Sequence, residues 1–260
     1  MVVPSTSKVV IVTGASRGIG KAVCEELIKF GAIVIGFARS KEDLDQLSSK
    51  CNLYARELKF IPFIGDITSE QDCKSVVKMA KSKFGRIDAL VNNAGTLEPV
   101  GTLVNISKQE LIKAFDVNLF SVFYLTQLVL PELRKNKEGV VVNVSSGAST
   151  KHLQGWGAYC ASKASLNMLT QGFASEEPDV TFIALRPGVV DTDMQTRIRA
   201  SGDIMKPEEF VRFTDLKENK QLLSPNIPGY IIAKLALYAE HSLSGEFLSY
   251  DSEMLSKYLS

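Results

Sequence analysis

The sequence predicts a single α/β domain: a doubly wound, mostly parallel sheet of seven strands with helices on both faces. Three observations carry that reading. Short apolar runs alternate with helical stretches along all 260 residues, the rhythm of βαβ units. The runs are apolar at nearly every position, as strands covered on both faces must be. A glycine-rich turn, Gly14 to Gly20, closes the first run and opens a helix, which is where a doubly wound sheet holds its ligand. No linker, repeat or low-complexity tract divides residues 1–260.

Each element has its own signal. Lys8 to Thr13 reads as a buried, β-branched strand, and the helix after the glycines carries Val23, Leu27 and Ile28 before Gly31. Ala32 to Phe37 is the second strand, and Lys41 to about Leu58 a polar helix. Phe60 to Gly65 is the third strand; Ser69 then caps a helix to about Phe84, with Glu70 and Asp72 favourably placed in its first turn. Asp88 to Val91, Gly139 to Val144 and Val180 to Leu185 are further strands. Helices are expected at about Ser107 to Lys135 and Ala158 to Ser175. From Thr192 to Pro228 the rhythm breaks into short charged pieces around Gly202, Pro207 and Pro225, a segment placed to cover a cleft as a substrate lid. Ile231 to Ala239 is the last helix and Glu246 to Tyr250 the last strand.

Composition narrows the function. The 30 basic and 29 acidic residues leave a net charge of +1, so no whole-molecule field draws in nucleic acid or an anionic membrane. Cys24, Cys51, Cys73 and Cys160 lack metal-ligand spacing and only His152 and His241 could assist them; no metal is expected, and free thiols in a reducing cytoplasm are. The run Val9 to Val12 is too short for a signal core, and no membrane-spanning segment is expected.

Two residue patterns carry chemistry. Glycines between a strand and a helix let backbone approach a pyrophosphate at the helix N-terminus, the signature of a Rossmann-type dinucleotide site. At the end of the second strand, where an NAD site places a carboxylate, stands Arg39. A guanidinium grips a 2′-phosphate with paired hydrogen bonds, and Arg17 in the glycine turn can approach the same group. The two arginines point to NADP(H). Tyr159 and Lys163 lie four apart, one helical turn from each other. An ammonium so placed favours the ionised phenol, and an acid tuned toward working pH can protonate a carbonyl oxygen while a hydride reaches its carbon. Each residue has an ordinary structural alternative: surface charge for the arginines, a half-buried aromatic for Tyr159, a strand-end cap for Ser145, a helix polar residue for Asn118.

Thr13-Gly14-Ala15-Ser16-Arg17-Gly18-Ile19-Gly20 resembles the T-G-x-x-x-G-x-G turn of the short-chain dehydrogenase/reductase family, matching every fixed position. Asn92-Asn93-Ala94-Gly95 matches the family's N-N-A-G turn, and the likeness covers nearly the whole chain. It implies a nicotinamide cofactor held by Gly14, Ser16, Arg17, Gly18, Ile19, Gly20 and Arg39, with Asp66 and Ile67 at the adenine. Asn93, Ala94 and Gly95 would border the ribose, while Pro187, Gly188, Val190 and Thr192 would contact the carboxamide. It also implies a catalytic tetrad. Tyr159 would be the proton donor and Ser145 would orient the substrate. Lys163 would hold the ribose, and Asn118 would anchor a water that relays protons to it. The hydride chemistry belongs to the cofactor, so no metal or covalent nucleophile is required.

From Ser145 to Gln195 the sequence is similar to the sepiapterin reductase branch and to microbial reductases that convert benzil to (S)-benzoin. That implies a small-molecule carbonyl substrate, a ketone or vicinal diketone. Trp156, Leu97 and Met194 would wall its pocket, and Asp251 is a candidate anchor with a strand-end surface acid as the equal alternative. An NADP-linked alcohol dehydrogenase or ketoacyl reductase, and a nucleotide-bound regulatory protein with little turnover, stay open beside it. The family likeness further suggests a homo-oligomer, dimer or tetramer, through the two long helices.

Overall fold

The computed structural model describes residues 7–55 and 59–259. Seven strands, β1 Val9–Thr13, β2 Ile33–Ala38, β3 Phe60–Ile64, β4 Ala89–Asn92, β5 Gly139–Val144, β6 Val180–Arg186 and β7 Phe247–Ser249, form one sheet in the order β3-β2-β1-β4-β5-β6-β7. Every neighbouring pair is parallel, so the sheet is all-parallel where the sequence led us to expect a mostly parallel one. The chain winds outward from β1 to β3, then returns to place β4 on the other side of β1. The crevice at that reversal lies beyond the carboxyl ends of β1 and β4, and the glycine turn and Asn93 occupy it.

The unbroken apolar runs follow from the two-sided covering. In β1, Val10 and Val12 pack into one core with Val23 and Leu27 of α1 (Gly18–Lys29) and Ile232 of a late helix, while Val9 and Ile11 enter the other with Val76, Leu125 and Val129. Alternate side chains leave opposite faces of a strand, so one strand serves both cores. Between β2 and β3 runs α2 (Lys41–Ala55); its expected end at Leu58 lies outside the described residues. Helix α3 (Glu70–Phe84) is capped by Ser69, whose hydroxyl accepts from the Asp72 amide at 3.2 Å, and stops at Gly85 with φ +71°.

The expected helix Ser107 to Lys135 is three pieces: α4 (Lys108–Phe115), a π-helical turn Asp116–Phe120, and α5 (Ser121–Asn136). Ser107 and Glu110 form a reciprocal capping box at its start. The rod Lys108–Asn136 is by length and composition apolar enough to cross a membrane. Its Leu125, Val129 and Leu133 are nevertheless buried in the second core, as a core helix requires.

Helix α6 (Gly157–Glu176) lies between β5 and β6. Over the end of the sheet the irregular segment resolves into α7 (Asp193–Arg199) and α8 (Pro207–Glu218), followed by α9 (Asn226–Tyr238). Ile198, Met205 and Phe213 gather with Leu97, Leu153, Trp156 and Tyr159 into a third, smaller apolar cluster. Helix α9 begins five residues before the expected Ile231. Pro228 is its third residue, where no intrahelical N–H bond is required, and Gly229 lets it approach α1: an added Cβ would stand 2.7 Å from that of Ala22.

Candidate active site

The cleft holds about 1720 Å³ and runs from the glycine turn to the third apolar cluster. Its first wall is built by backbone. Gly14 and Gly18 have φ of +63° and +54°, in the left-handed region that favours glycine. Gly20 serves a different need: an added Cβ would lie 2.2 Å from the Gly14 carbonyl oxygen and 2.5 Å from Asn93 Nδ2. It supports the turn from behind, while Gly14, Ser16, Arg17, Gly18 and Ile19 line the cleft. Arg17 caps α1 through backbone only, with no side-chain hydrogen bond to the helix amides. Those amides suit a phosphate.

The Asn93 turn stitches β1 to β4. Asn93 Nδ2 donates to the carbonyls of Thr13 (2.9 Å) and Gly14 (3.2 Å), and Thr13 Oγ1 accepts from the amides of Asn93 and Ala94, both at 3.0 Å. Asn93, Ala94 and Gly95 border the cleft, as do Arg39, Asp66 and Ile67 beyond β2 and β3. Burial works against the Asp66 charge. Hydrogen bonds from the Thr68 amide (2.9 Å) and hydroxyl (2.8 Å), with Arg39 nearby, outweigh it and hold the carboxyl below its usual range. Arg17 reaches across the mouth to Asp193 in the first turn of α7, Nη1 to Oδ2 at 2.7 Å. Sequence reading had not placed an acid there. A glycine cradle, open helix amides and two arginines fit a phosphorylated dinucleotide.

At the other end Ser145, Tyr159 and Lys163 line the cleft together and are all nearly buried. Ser145 is set by β5, whose end pairs with β6; the Ser145 amide donates to the Leu185 carbonyl at 2.8 Å. The Lys163 ammonium donates to the Val144 carbonyl at 2.7 Å and stands 5.9 Å from the centre of the Tyr159 ring. Here the structure departs from the expected tuning. Burial pushes the Tyr159 phenol up, a hydrogen bond with Ser146 offsets part of that, and burial brings Lys163 down to about 8. In this state the lysine serves a backbone carbonyl, and desolvation of the phenol is the larger effect.

Asn118 does not line the cleft. It is fully buried in the π-helical turn, its Nδ2 donating to the Thr96 carbonyl (2.9 Å) and Ser162 Oγ (3.0 Å) and its Oδ1 accepting from the Thr96 amide (2.8 Å). It pins the strand-end segment that follows Gly95. A Cβ added to Gly95 would lie 3.3 Å from Asn118 Oδ1 and 3.6 Å from Lys163 Nζ, so that glycine keeps lysine and backbone close.

Pro187, Gly188, Val190 and Thr192 form the wall between the two ends, with Leu97, Trp156, Met194 and Asp251 also on the cleft. Trp156 meets Tyr159 edge-on (6.3 Å, 85°) and packs against Phe213 at 5.3 Å. Asp251 is exposed and hydrogen-bonded by the Ser249 hydroxyl. Two neighbours of the site were not found from sequence: Ser146, hydrogen-bonded with Tyr159, and Asn167, whose Oδ1 accepts from the Ser145 hydroxyl at 2.6 Å. Asn167 could have been, because it continues the i, i+4 series of Tyr159 and Lys163 along one face of α6.

A cleft at the switch point of an all-parallel sheet, glycine-cradled at one end and closed by a buried Tyr/Lys pair at the other, defines a nicotinamide-dependent oxidoreductase. The sequence model described as short chain dehydrogenase matches residues 8–203, and the chain belongs to that family. A benzil reductase ((S)-benzoin forming) of Saccharomyces cerevisiae is 40% identical over 260 residues, spanning 95% of this chain and 97% of the relative. The crystal structure of a short chain dehydrogenase/reductase from the same yeast is 41% identical, covers 98% of this chain and 100% of its own, and superposes with a TM-score of 0.93. A second yeast structure, of a cytoplasmic protein with unknown function, is 39% identical over 98% of this chain and 100% of its own, with a TM-score of 0.82. The likeness to the benzil reductase branch read from residues 145–195 is thus supported along the chain.

Proposed function

We propose that this protein is an NADPH-dependent carbonyl reductase acting on a small ketone or vicinal diketone of the benzil or sepiapterin kind. The observation that carries it is the junction of one cleft: Ser145, Tyr159 and Lys163 meet the 187–192 wall under an apolar roof. Arg17 and Arg39 would grip the 2′-phosphate, and Lys163 would hold the ribose. When bound, the nicotinamide supplies the hydride. Tyr159 gives its proton to the carbonyl oxygen as the hydride reaches the carbon. Trp156, Leu97 and Met194 exclude water and shape the pocket, and Asp251 at its edge is the anchor for a polar substrate arm.

Residues 1–260 act as one unit with 192–228 as the substrate lid. Exposed Phe120, Phe123 and Met168 on the long rod and α6 suit self-association into a dimer or tetramer. Cytoplasm is the proposed location, in line with the yeast protein so described. The test is NADPH oxidation with benzil, 1-phenyl-1,2-propanedione and sepiapterin, repeated with NADH. Turnover of at least one with NADPH preferred is expected; inertness toward all three overturns the reading.

A further inference from the structure

Trp156, the single tryptophan of the chain, stands at the start of α6, three residues before Tyr159. Its amide donates to the Leu153 carbonyl at 3.0 Å and its carbonyl accepts from the Cys160 amide at 2.8 Å, so it caps the helix whose first turn carries the phenol. The turn around it is gripped from two sides. On one side the 192–228 segment lays Ile204 over Gly155, where an added Cβ would stand 2.8 Å from Ile204 Cγ2. Glu209, in the first turn of α8, accepts from the Gln154 amide at 3.2 Å. On the other side Leu103 lies over Gly157, where a Cβ would stand 2.5 Å from Leu103 Cδ2, and the Gly101 amide donates to the Gly155 carbonyl at 2.9 Å. Gly155 and Gly157 are sockets for the two covering segments, with the indole between them. That indole is buried, packed on Phe213 at 5.3 Å and edge-on to Tyr159 at 6.3 Å. Ile204, Glu209 and Leu103 do not line the cleft.

We propose that Trp156 is a positioning residue, clamped by Ile204 and Leu103, that fixes the ring of Tyr159 for proton delivery. This rests on the carbonyl reductase reading of the cleft. A proton donor must lie within hydrogen-bond reach of the carbonyl oxygen, and a ring free to rock loses that alignment. The Tyr159 ring is backed by the indole, and the helix that carries it begins at the same residue. Close-packed side chains pass a displacement on rather than absorb it. The two covering segments therefore hold the acid still from positions that never meet the substrate.

Ile204→Ala and Leu103→Ala loosen the two grips separately, and the lone tryptophan reports the result. Its fluorescence anisotropy decay is expected to show overall tumbling alone in the wild type and an added local rotation, on the nanosecond scale, in each variant. The two edges of the Tyr159 ring, assigned by NMR of labelled tyrosine with Tyr159→Phe as reference, should exchange faster in both. Neither readout requires a substrate; an immobile indole, or a Tyr159 ring flipping at the wild-type rate, in both variants overturns the proposal. In turnover, each variant is expected to lower kcat about ten- to hundredfold, because a group misplaced by about 1 Å costs that much, with NADPH Kd by fluorescence unchanged. The alkaline limb of the kcat profile should move to lower pH, since water reaching the loosened ring eases ionisation of the phenol. Ile204→Leu should recover most of the rate, and Trp156→Leu/Ile204→Ala should be no slower than Trp156→Leu alone. Wild-type kcat in both alanine variants, or additive losses in the double variant, overturns it. A mobile indole and a faster ring in a protein that reduces no carbonyl compound would sink the proposed function and leave the hold on Tyr159 standing.

Discussion

Tyr159 is nearly buried, so ionising its phenol costs more than in water, and in the proposed reaction its part is to give that proton up. Replacing it with Phe removes the proton and little else, because its ring packs edge-on against Trp156. Tyr159→Phe is expected to bind NADPH as wild type does and to lose about two to four orders of magnitude in kcat; normal turnover would remove it from the proton path. Arg39 belongs to the same scale. It is exposed at the end of β2 with the lowered carboxyl of Asp66 nearby. Arg39→Asp should raise the NADPH KM about ten- to a hundredfold and leave that for NADH nearly unchanged, since a charged hydrogen-bonding partner is worth about 1.5–3 kcal/mol. An unaltered NADPH KM would contradict the grip on the 2′-phosphate.

Among the elements, the contact of α1 with α9 shows what a linear reading misses. Pro228-Gly229 looks like a break between elements, and by local preference it is. In the fold the proline falls within the first turn, where it is harmless, and the glycine is the point of closest approach to Ala22. That requirement comes from a residue two hundred positions away, so no local pattern carries it. Gly229→Val is expected to destabilise by about 1–3 kcal/mol through overpacking and to lower Tm by several degrees; an unchanged Tm would mean the helices can separate freely. The rod 108–136 gives a similar lesson. Its apolar periodicity announces a helix, but not that the helix widens to a π turn at Asp116–Phe120 and there turns Asn118 inward to Thr96. By contrast β1, the glycine turn and the capped start of α3 were legible, because burial on two faces, positive φ and a cap each restrict which residues can stand there.

For the molecule as a whole, the thiols set an alkaline limit. Burial pushes Cys51 up to about 11 and Cys73 to about 12 from an ordinary value near 9, and Cys24 well above it. Unfolded, these groups release protons from about pH 9 while the folded chain retains them. Stability present below pH 9 is therefore lost as pH rises toward 11 and 12. Lys163 acts oppositely: brought down to about 8 by burial, it gives up its proton before the unfolded chain does, which adds stability between about 8 and 10.5. With several thiols against one lysine, urea unfolding under reducing conditions should show a decline above pH 9. Cys73→Ala should make that decline shallower and Lys163→Met steeper; a profile flat to pH 11 in the wild type would refute the buried-thiol account. Sequence alone could count the cysteines but not rank their burial, which depends on which helix face meets the sheet.

The bridge from Arg17 to Asp193 joins the phosphate cradle to the first turn of α7 while both partners stay two-thirds exposed. An ion pair in that much water is worth about 0–1 kcal/mol, enough to bias the first turn of α7 toward the cradle and too little to resist a dianion. One guanidinium cannot hold two such customers at once. Under the proposed function, arrival of the phosphorylated coenzyme would free Asp193, and with it the first turn of α7, in a single exchange, while the unphosphorylated one would leave the ion pair in place.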